Sequence, residues 1–209
     1  MSEELKQPDN TTFTSGWSAF STDWFSHRIP QWEQYIKPAL AGKKCRWLEL
    51  GSYEGRSAIW TLDNILTHAE SSIDCVDIWM GQYEKNFDGN MKGRSKVRKY
   101  KKNCLEFLAN TLDSFQFFGN RCIYDAVYVD ADHQAKAALT EACLAWELLK
   151  PGGFMIFDDY PWEHPVTDPQ RHRKLGPKKG IDAFLECWQY ELTLLHKGWQ
   201  VIVQKLPPS

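Results

Sequence analysis

Short apolar strands alternate with helices along most of this chain, and that alternation leaves few folds open. "YDAVYV" (Tyr124–Val129) reads as a buried strand. "QAKAALTEACLAWELLK" then reads as an amphipathic helix, stopped by the Pro-Gly-Gly that helix C-termini favour, and "FMIFDDY" is the next strand. Upstream, "CRWLEL" and "SIDCVDI" flank the apolar-periodic helix "AIWTLDNILTHA", and a helix "CLEFLANTL" precedes a weak strand around "FQFF". Downstream, the helix "GIDAFLECWQ" leads to "YELTLLH" and "WQVIVQK", a terminal hairpin turning at Lys197-Gly198. The pattern predicts an α/β fold, a Rossmann-like doubly wound sheet, mostly parallel, with helices on both faces.

Three of these strands end in acids. "YDAVYV" runs into Asp130-Ala-Asp132-His133, and "FMIF" into Asp158-Asp159; "SIDCVDI" ends at Asp77. In parallel sheets ligands bind beyond the carboxyl ends of the strands, near the reversal of strand order. The acids therefore crowd one rim. Carboxylates that converge repel unless a cation or protons intervene. Oxygen-only ligands suit a hard ion such as Mg²⁺, which leaves Asp130, Asp158 and Asp159 as candidate metal ligands. Asp132 reads as a cap for the following helix.

Between the first strand and first helix, "LELGSYEGRS" places Gly51 and Gly55 in a tight turn. Glycine there lets backbone approach a ligand, and the helix N-terminus receives an anion. The G-x-x-x-G spacing matches neither the dinucleotide fingerprint nor the phosphate loop. Asp77 is placed to accept both hydroxyls of a ribose.

With 209 residues the chain fits one domain, and its net charge of −2 gives no global pull toward nucleic acid or membrane. No apolar run reaches bilayer length, and the polar, acidic start lacks the pattern of a signal peptide. The six cysteines are scattered without a C-x-x-C pair, so they read as small buried hydrophobes in a reducing, cytoplasmic setting. Residues 1–44 form an aromatic N-terminal segment, expected as two short helices broken at Pro30 and ended near Pro38. Phe13, Trp17, Trp24 and Phe25 there are candidates for a lid or a plain cover, and Trp162 for a pocket wall.

"WLELGSYEGRS", "IDCVDIW", "YDAVYVDADH", "LLKPGGFMIFDDY" and "GIDAFL", in this order, resemble a class I S-adenosylmethionine-dependent methyltransferase. The branch they are most similar to is methyltransferase family 24, related to macrolide sugar O-methyltransferases. The resemblance spans about residues 45–205 and sets the domain at 45–209. It implies a seven-stranded sheet with the hairpin as antiparallel edge. It also implies that Glu49, Gly51, Ser52 and Gly55 line the methionine end of the cofactor, that Asp77 holds the ribose, and that Trp79 flanks the adenine. The acid triad resembles the metal site of catechol- and caffeoyl-CoA-type enzymes. Those often carry Asp-Asn where this chain has Asp158-Asp159, which is closer to the macrolide enzymes.

His133 stands where the catechol-type enzymes carry a lysine base. An imidazole takes a proton near neutral pH, and a metal on the acceptor hydroxyl eases that transfer. The expected activity is Mg²⁺-assisted O-methylation of a small hydroxylated acceptor such as a sugar, phenol or polyketide, with His133 as base and Asp130 beside it. Two rivals stand: an RNA methyltransferase using the basic segments 92–102 and 171–179, and a cofactor-binding protein that no longer catalyses. The acceptor and the oligomeric state are not legible in the sequence.

Overall fold

The first described element is a small antiparallel hairpin, β1 (Phe13–Ser15) and β2 (Ser18–Phe20). A 3-10 turn at Ser26–Arg28 leads into α1 (Ile29–Tyr35) and α2 (Lys37–Leu40). The structure, a computed structural model, describes residues 13–15, 18–116, 122–163 and 176–208. Pro30 and Pro38 fall in the first turns of α1 and α2, where a missing N–H costs nothing. The prolines start these helices instead of breaking or ending them.

After this segment come β3 (Arg46–Leu50), α3 (Arg56–Asn64), β4 (Ser72–Asp77), α4 (Gln82–Asn90), β5 (Val97–Lys101) and α5 (Cys104–Gln116). They are followed by β6 (Tyr124–Val129), α6 (Ala135–Leu148), β7 (Leu149–Phe157), α7 (Pro177–Cys187), β8 (Leu192–Lys197) and β9 (Val201–Lys205). Seven strands form one sheet in the order β5-β4-β3-β6-β7-β9-β8. Strands β5 to β7 in that order run parallel, and β9 pairs antiparallel with both β7 and β8. This is the expected doubly wound sheet with its terminal hairpin.

Side chains alternate across the sheet as the two-residue period of a strand demands. Trp47, Ala126, Tyr128, Phe154, Ile156 and Ile202 face one buried cluster, which includes Phe20, Phe25, Trp32, Ile36 and Leu40 from the N-terminal segment and Trp60 from α3. Leu48, Val127, Val129, Met155, Phe157, Val201 and Val203 face the other, beneath α5, α6 and α7. The N-terminal segment is thus part of the core: burying a side chain as completely as Trp32 stabilises by roughly 3 kcal/mol.

Strand order reverses between β3 and β6, and register brings the strand ends level there. Leu50 pairs with Val76 and with Val129, and Val129 with Phe157. The next residues are Gly51, Asp77, Asp130 and Asp158, so four adjacent strands deliver them to one rim.

The third parallel strand differs from expectation. Phe115 and Gln116 of "FQFF" end α5, and Phe117 and Phe118 lie outside the described residues. The strand is β5, inside the basic run 92–102. That run carries charges because it sits at the sheet edge, and most of them have partners. Arg98 pairs with the fully buried Asp74 at 2.6 Å, Lys99 with Glu84 at 2.9 Å and Asp88 at 2.6 Å, and Lys101 with Glu84 at 2.5 Å. Arg94 pairs with Asp63, Lys102 with Glu106, and Lys96 donates to the Leu66 carbonyl.

Candidate active site

The glycine turn is held open by its backbone. Gly51 and Gly55 adopt φ of 85° and 82°, a region that admits glycine without strain. A Cβ on Gly51 would lie 2.0 Å from the Asp130 carbonyl oxygen, and one on Gly55 would lie 2.2 Å from Met91 Cε. Gly51 therefore joins the turn to the acid-bearing end of β6.

At the neighbouring strand end, the Asp77 carboxylate accepts the Tyr53 and Trp79 backbone N–H groups, both at 2.9 Å. Each oxygen keeps a lone pair for a further donor. Trp79 is buried, donates its indole N–H to the Tyr53 carbonyl at 2.6 Å, and packs against Phe87 with the Lys99 ammonium over its ring. Its surroundings in this structure are protein groups.

Beneath the turn, Glu49 is fully buried, and neither of its carboxylate oxygens has a hydrogen-bond partner; Ser52 Oγ is orphaned as well. Burial pushes the Glu49 carboxyl up to about 8; the Ser52 and Ser57 hydroxyls, outside hydrogen-bond geometry, oppose the rise and the Asp77 charge adds to it. Orphaned buried polar atoms are costly in a folded chain, and these are free to accept a donor. Ser52 lines a cleft open to solvent, together with Thr22, Trp24, Phe25, Tyr128 and Asp130 among others.

One ligand atom each from Asp130, His133 and Asp159 lies within 4.8 Å of the others, which makes this group able to hold a metal ion. All three stay partly open to solvent. His133 Nε2 is 3.7 Å from Asp159 Oδ2, and the His133 ring lies 5.4 Å from that of Trp162. Asp159 holds φ at 51° and accepts the Trp199 indole N–H at 2.8 Å.

Asp158, expected as a ligand, is buried and already occupied by protein groups. Its Oδ2 accepts the Tyr128 hydroxyl and, at 3.0 Å, Gln200 Nε2; its Oδ1 accepts the Asp159 N–H at 2.7 Å. The Tyr128 hydroxyl also lies 3.1 Å from Asp130 Oδ2, with one proton to donate. Burial, then the charges of Asp158 and Asp159, hold the Asp130 carboxyl well above the usual range. Burial and Asp159 raise Asp158, while Tyr128 and Arg28 oppose that rise. The cluster is therefore short of positive charge.

Three functional features escaped the sequence reading. Arg28 reaches the cluster, its Nε 3.6 Å from Asp158 Oδ1 and its guanidinium 5.0 Å from the Trp199 ring centroid. Gln200 links Asp158 to the Trp32 indole, which donates to Gln200 Oε1 at 2.9 Å. The N-terminal segment also clasps the glycine turn: Trp24 stacks on Tyr53 at 5.7 Å, Ser21 binds the Glu54 carboxylate, and Asp23 pairs with Arg56. No local pattern announces these long-range pairs. Asp132, expected as a cap, accepts the Gln134 N–H at 3.0 Å, a turn-forming bond ahead of α6. The residue that starts the helix is Gln134, which has no side-chain cap bond, so Asp132 shapes the turn and does not cap the helix. The Phe13 side chain, Trp17 and residues 171–175 of the second basic segment lie outside the described residues.

Residues 48–160 match a family described as a methyltransferase domain. No curated protein sequence matches the chain significantly. Among solved structures, the chain is similar to the O-methyltransferase TomG from Streptomyces achromogenes, involved in tomaymycin synthesis and solved with SAM: 17% identity, TM-score 0.65, over 90% of this chain and 83% of that one. It is also similar to the MycE methyltransferase of the mycinamycin biosynthetic pathway, solved with Mg and SAH: 14% identity, TM-score 0.60, over 88% of this chain and 51% of that one. A candidate rRNA methylase from Clostridium thermocellum superposes at TM-score 0.64 with 14% identity, over 87% and 97% of the two chains.

Proposed function

Because the chain belongs to this methyltransferase family and has the class I S-adenosylmethionine-dependent methyltransferase fold, we propose that it methylates a hydroxyl oxygen of a small acceptor, with a divalent ion, Mg²⁺ first among candidates, at the acid cluster. The observation that carries this reading is the meeting of Asp130, His133 and Asp159 donor atoms within 4.8 Å, on the rim that also bears the glycine turn. When bound, S-adenosylmethionine supplies an electrophilic methyl group, and the ion makes a nearby hydroxyl more acidic.

The chain's own residues do the rest. Gly51 and Gly55 leave room for the donor against the backbone, with Glu49 and Ser52 offering their orphaned oxygens to its methionine end and Asp77 to its ribose. Trp79, buried beside Asp77, backs the adenine end of the cleft. Asp130 and Asp159 hold the ion; Asp158 joins them only if it gives up a present partner, so its first task is to fix Tyr128, Gln200 and Arg28. His133 takes the hydroxyl proton, its Nε2 facing Asp159. Alignment and charge placement account for most of the acceleration in such a site.

Residues 45–209 constitute the methyltransferase domain in this reading, with the described part of residues 1–44 as a cover packed into its core. Thr22, Trp24 and Phe25 form the cleft wall opposite the turn, and Trp162 flanks the acceptor. The six free cysteines suit a reducing, cytoplasmic setting, and among the described residues no helix is long and apolar enough to cross a membrane.

The test is S-adenosylhomocysteine formation with a panel of hydroxylated sugars, phenols and polyketides, with and without EDTA, alongside an RNA panel. Turnover on a small hydroxyl acceptor that EDTA abolishes supports the reading. Turnover confined to RNA, or indifferent to EDTA, overturns it. His133→Gln separates base from ligand: a base mutant keeps Mn²⁺ affinity while losing turnover, and a ligand mutant loses both.

A further inference from the structure

Resting on the ion site just proposed, we infer that Arg28 is a positioning residue that sets the charge of the acid pocket, and with it the valence of the ion the pocket accepts. Three carboxylates, Asp130, Asp158 and Asp159, meet at strand ends that the sheet cannot separate, since β6 and β7 pair in register up to Val129 and Phe157. Ionised, they bring three negative charges. Arg28 returns one positive charge, which leaves two to be matched by a divalent ion.

The guanidinium is built in rather than incidental. Its side chain is only 14% exposed, in contact range of an Asp158 side chain that is 6% exposed. Its Nε has no hydrogen-bond partner, and the guanidinium lies over the Trp199 face, so charge and the indole help hold it. Trp199 also donates to Asp159, so one indole orders both the cation and a carboxylate. The backbone carrying Arg28 is fixed on both sides. Asp23 accepts the Phe25 and Ser26 N–H groups and pairs with Arg56, and Trp32 bonds Gln200.

Neither His27 nor Glu49 upsets this balance. His27 is kept toward its neutral form, by burial first and by the Arg28 charge second. Glu49 is mostly protonated at neutral pH for the reason given above. Arginine cannot lose its proton in a protein, so its charge is fixed whatever the pocket binds.

The test is ion binding to the otherwise unmodified full chain, without substrate: Mn²⁺ by calorimetry and Tb³⁺ by tryptophan-sensitised luminescence. Coulomb attraction scales with ion charge, so removing one fixed positive charge should favour the trivalent ion more. Arg28→Met is expected to tighten Mn²⁺ by about tenfold and Tb³⁺ by about thirtyfold, at ~0.1 M salt. Arg28→Lys keeps the charge and is expected to leave both affinities near wild type. A folded Arg28→Met that binds both ions as wild type does, or more weakly, overturns the inference. Should Arg28→Met fail to fold, the charge-balanced pair Arg28→Met with Asp158→Asn decides: wild-type affinities support the inference, and a changed Tb³⁺ to Mn²⁺ ratio overturns it. A wild-type protein that binds no Mn²⁺ removes the ion site itself, a different result from an Arg28 variant without effect.

Discussion

Gly51→Ala should be among the most damaging single methyl additions to this chain, and a second glycine supplies the control. At φ 85° an alanine is strained by about 1–2 kcal/mol. The added carbon would also sit 2.0 Å from the Asp130 carbonyl oxygen, 2.6 Å from its carbon and 2.8 Å from Ala131 Cα. These are backbone atoms and cannot rotate away, so the ends of β3 and β6 must part. Forced overpacking of this kind costs a further 1–3 kcal/mol or so. The sum, roughly 2–5 kcal/mol, is a large share of the stability of an ordinary domain. Gly42 has nearly the same φ, 77°, with nothing within 4 Å of a built Cβ. Gly42→Ala should therefore show the strain alone, about 1–2 kcal/mol. Urea unfolding followed by tryptophan fluorescence measures both, provided the slope is unchanged. Equal losses in the two variants refute the claim that the turn abuts β6. Gly51→Ala should also weaken Mn²⁺ binding, because Asp130 moves with its own carbonyl, whereas Gly42→Ala should not.

Other expectations are more local. Glu141 is buried in α6 with one oxygen orphaned, and burial, then the Asp132 charge, pushes its carboxyl to about 8 against an ordinary 4.5. Between those values the folded state keeps a proton that the unfolded state has lost, so stability falls as pH rises through the window and levels off above it. Glu141→Gln should remove that slope, gaining up to ~3 kcal/mol on the wild type between pH 5 and pH 8, and parallel stability curves for the two proteins contradict this. Asp74 is fully buried, 2.8 Å from Arg46 and 2.6 Å from Arg98, and accepts the Tyr124 hydroxyl. Asp74→Asn should cost ~2 kcal/mol, a loss that persists in ~0.5 M salt because the carboxylate is shielded from solvent. Trp32→Phe keeps the ring in the core but drops the bond to Gln200. It should cost ~1–2 kcal/mol and loosen Asp158, read as a shift in Mn²⁺ affinity; an unchanged affinity separates α1 from the site.

What the sequence disclosed follows from range. Strand ends and glycine turns are local signals, so the sheet and the rim bearing Asp77, Asp130 and Asp158 were legible from runs of a few residues. Helix α4 and strand β5 were not. Their residues are mostly polar, and the groups that neutralise Arg98 and Lys99, Asp74 and Glu84, stand 24 and 15 residues away. Pro30 and Pro38 were misjudged because the same residue ends one helix and starts another, and only the chain's path decides which. Asp158 and Asp159 look alike in sequence, yet the adjacent carboxylates differ in kind. Tyr128, Gln200 and Arg28 enclose the first, while the second turns toward His133 through a positive φ. That division depends on partners 30 to 130 residues distant, which no local pattern encodes.

The most direct measurement is anomalous diffraction from crystals grown with Mn²⁺ and S-adenosylhomocysteine together. The account predicts one manganese peak among Asp130, His133 and Asp159, with the cofactor sulfur facing it from the glycine-turn cleft. Manganese bound elsewhere, or a cofactor seated away from Gly51, contradicts it.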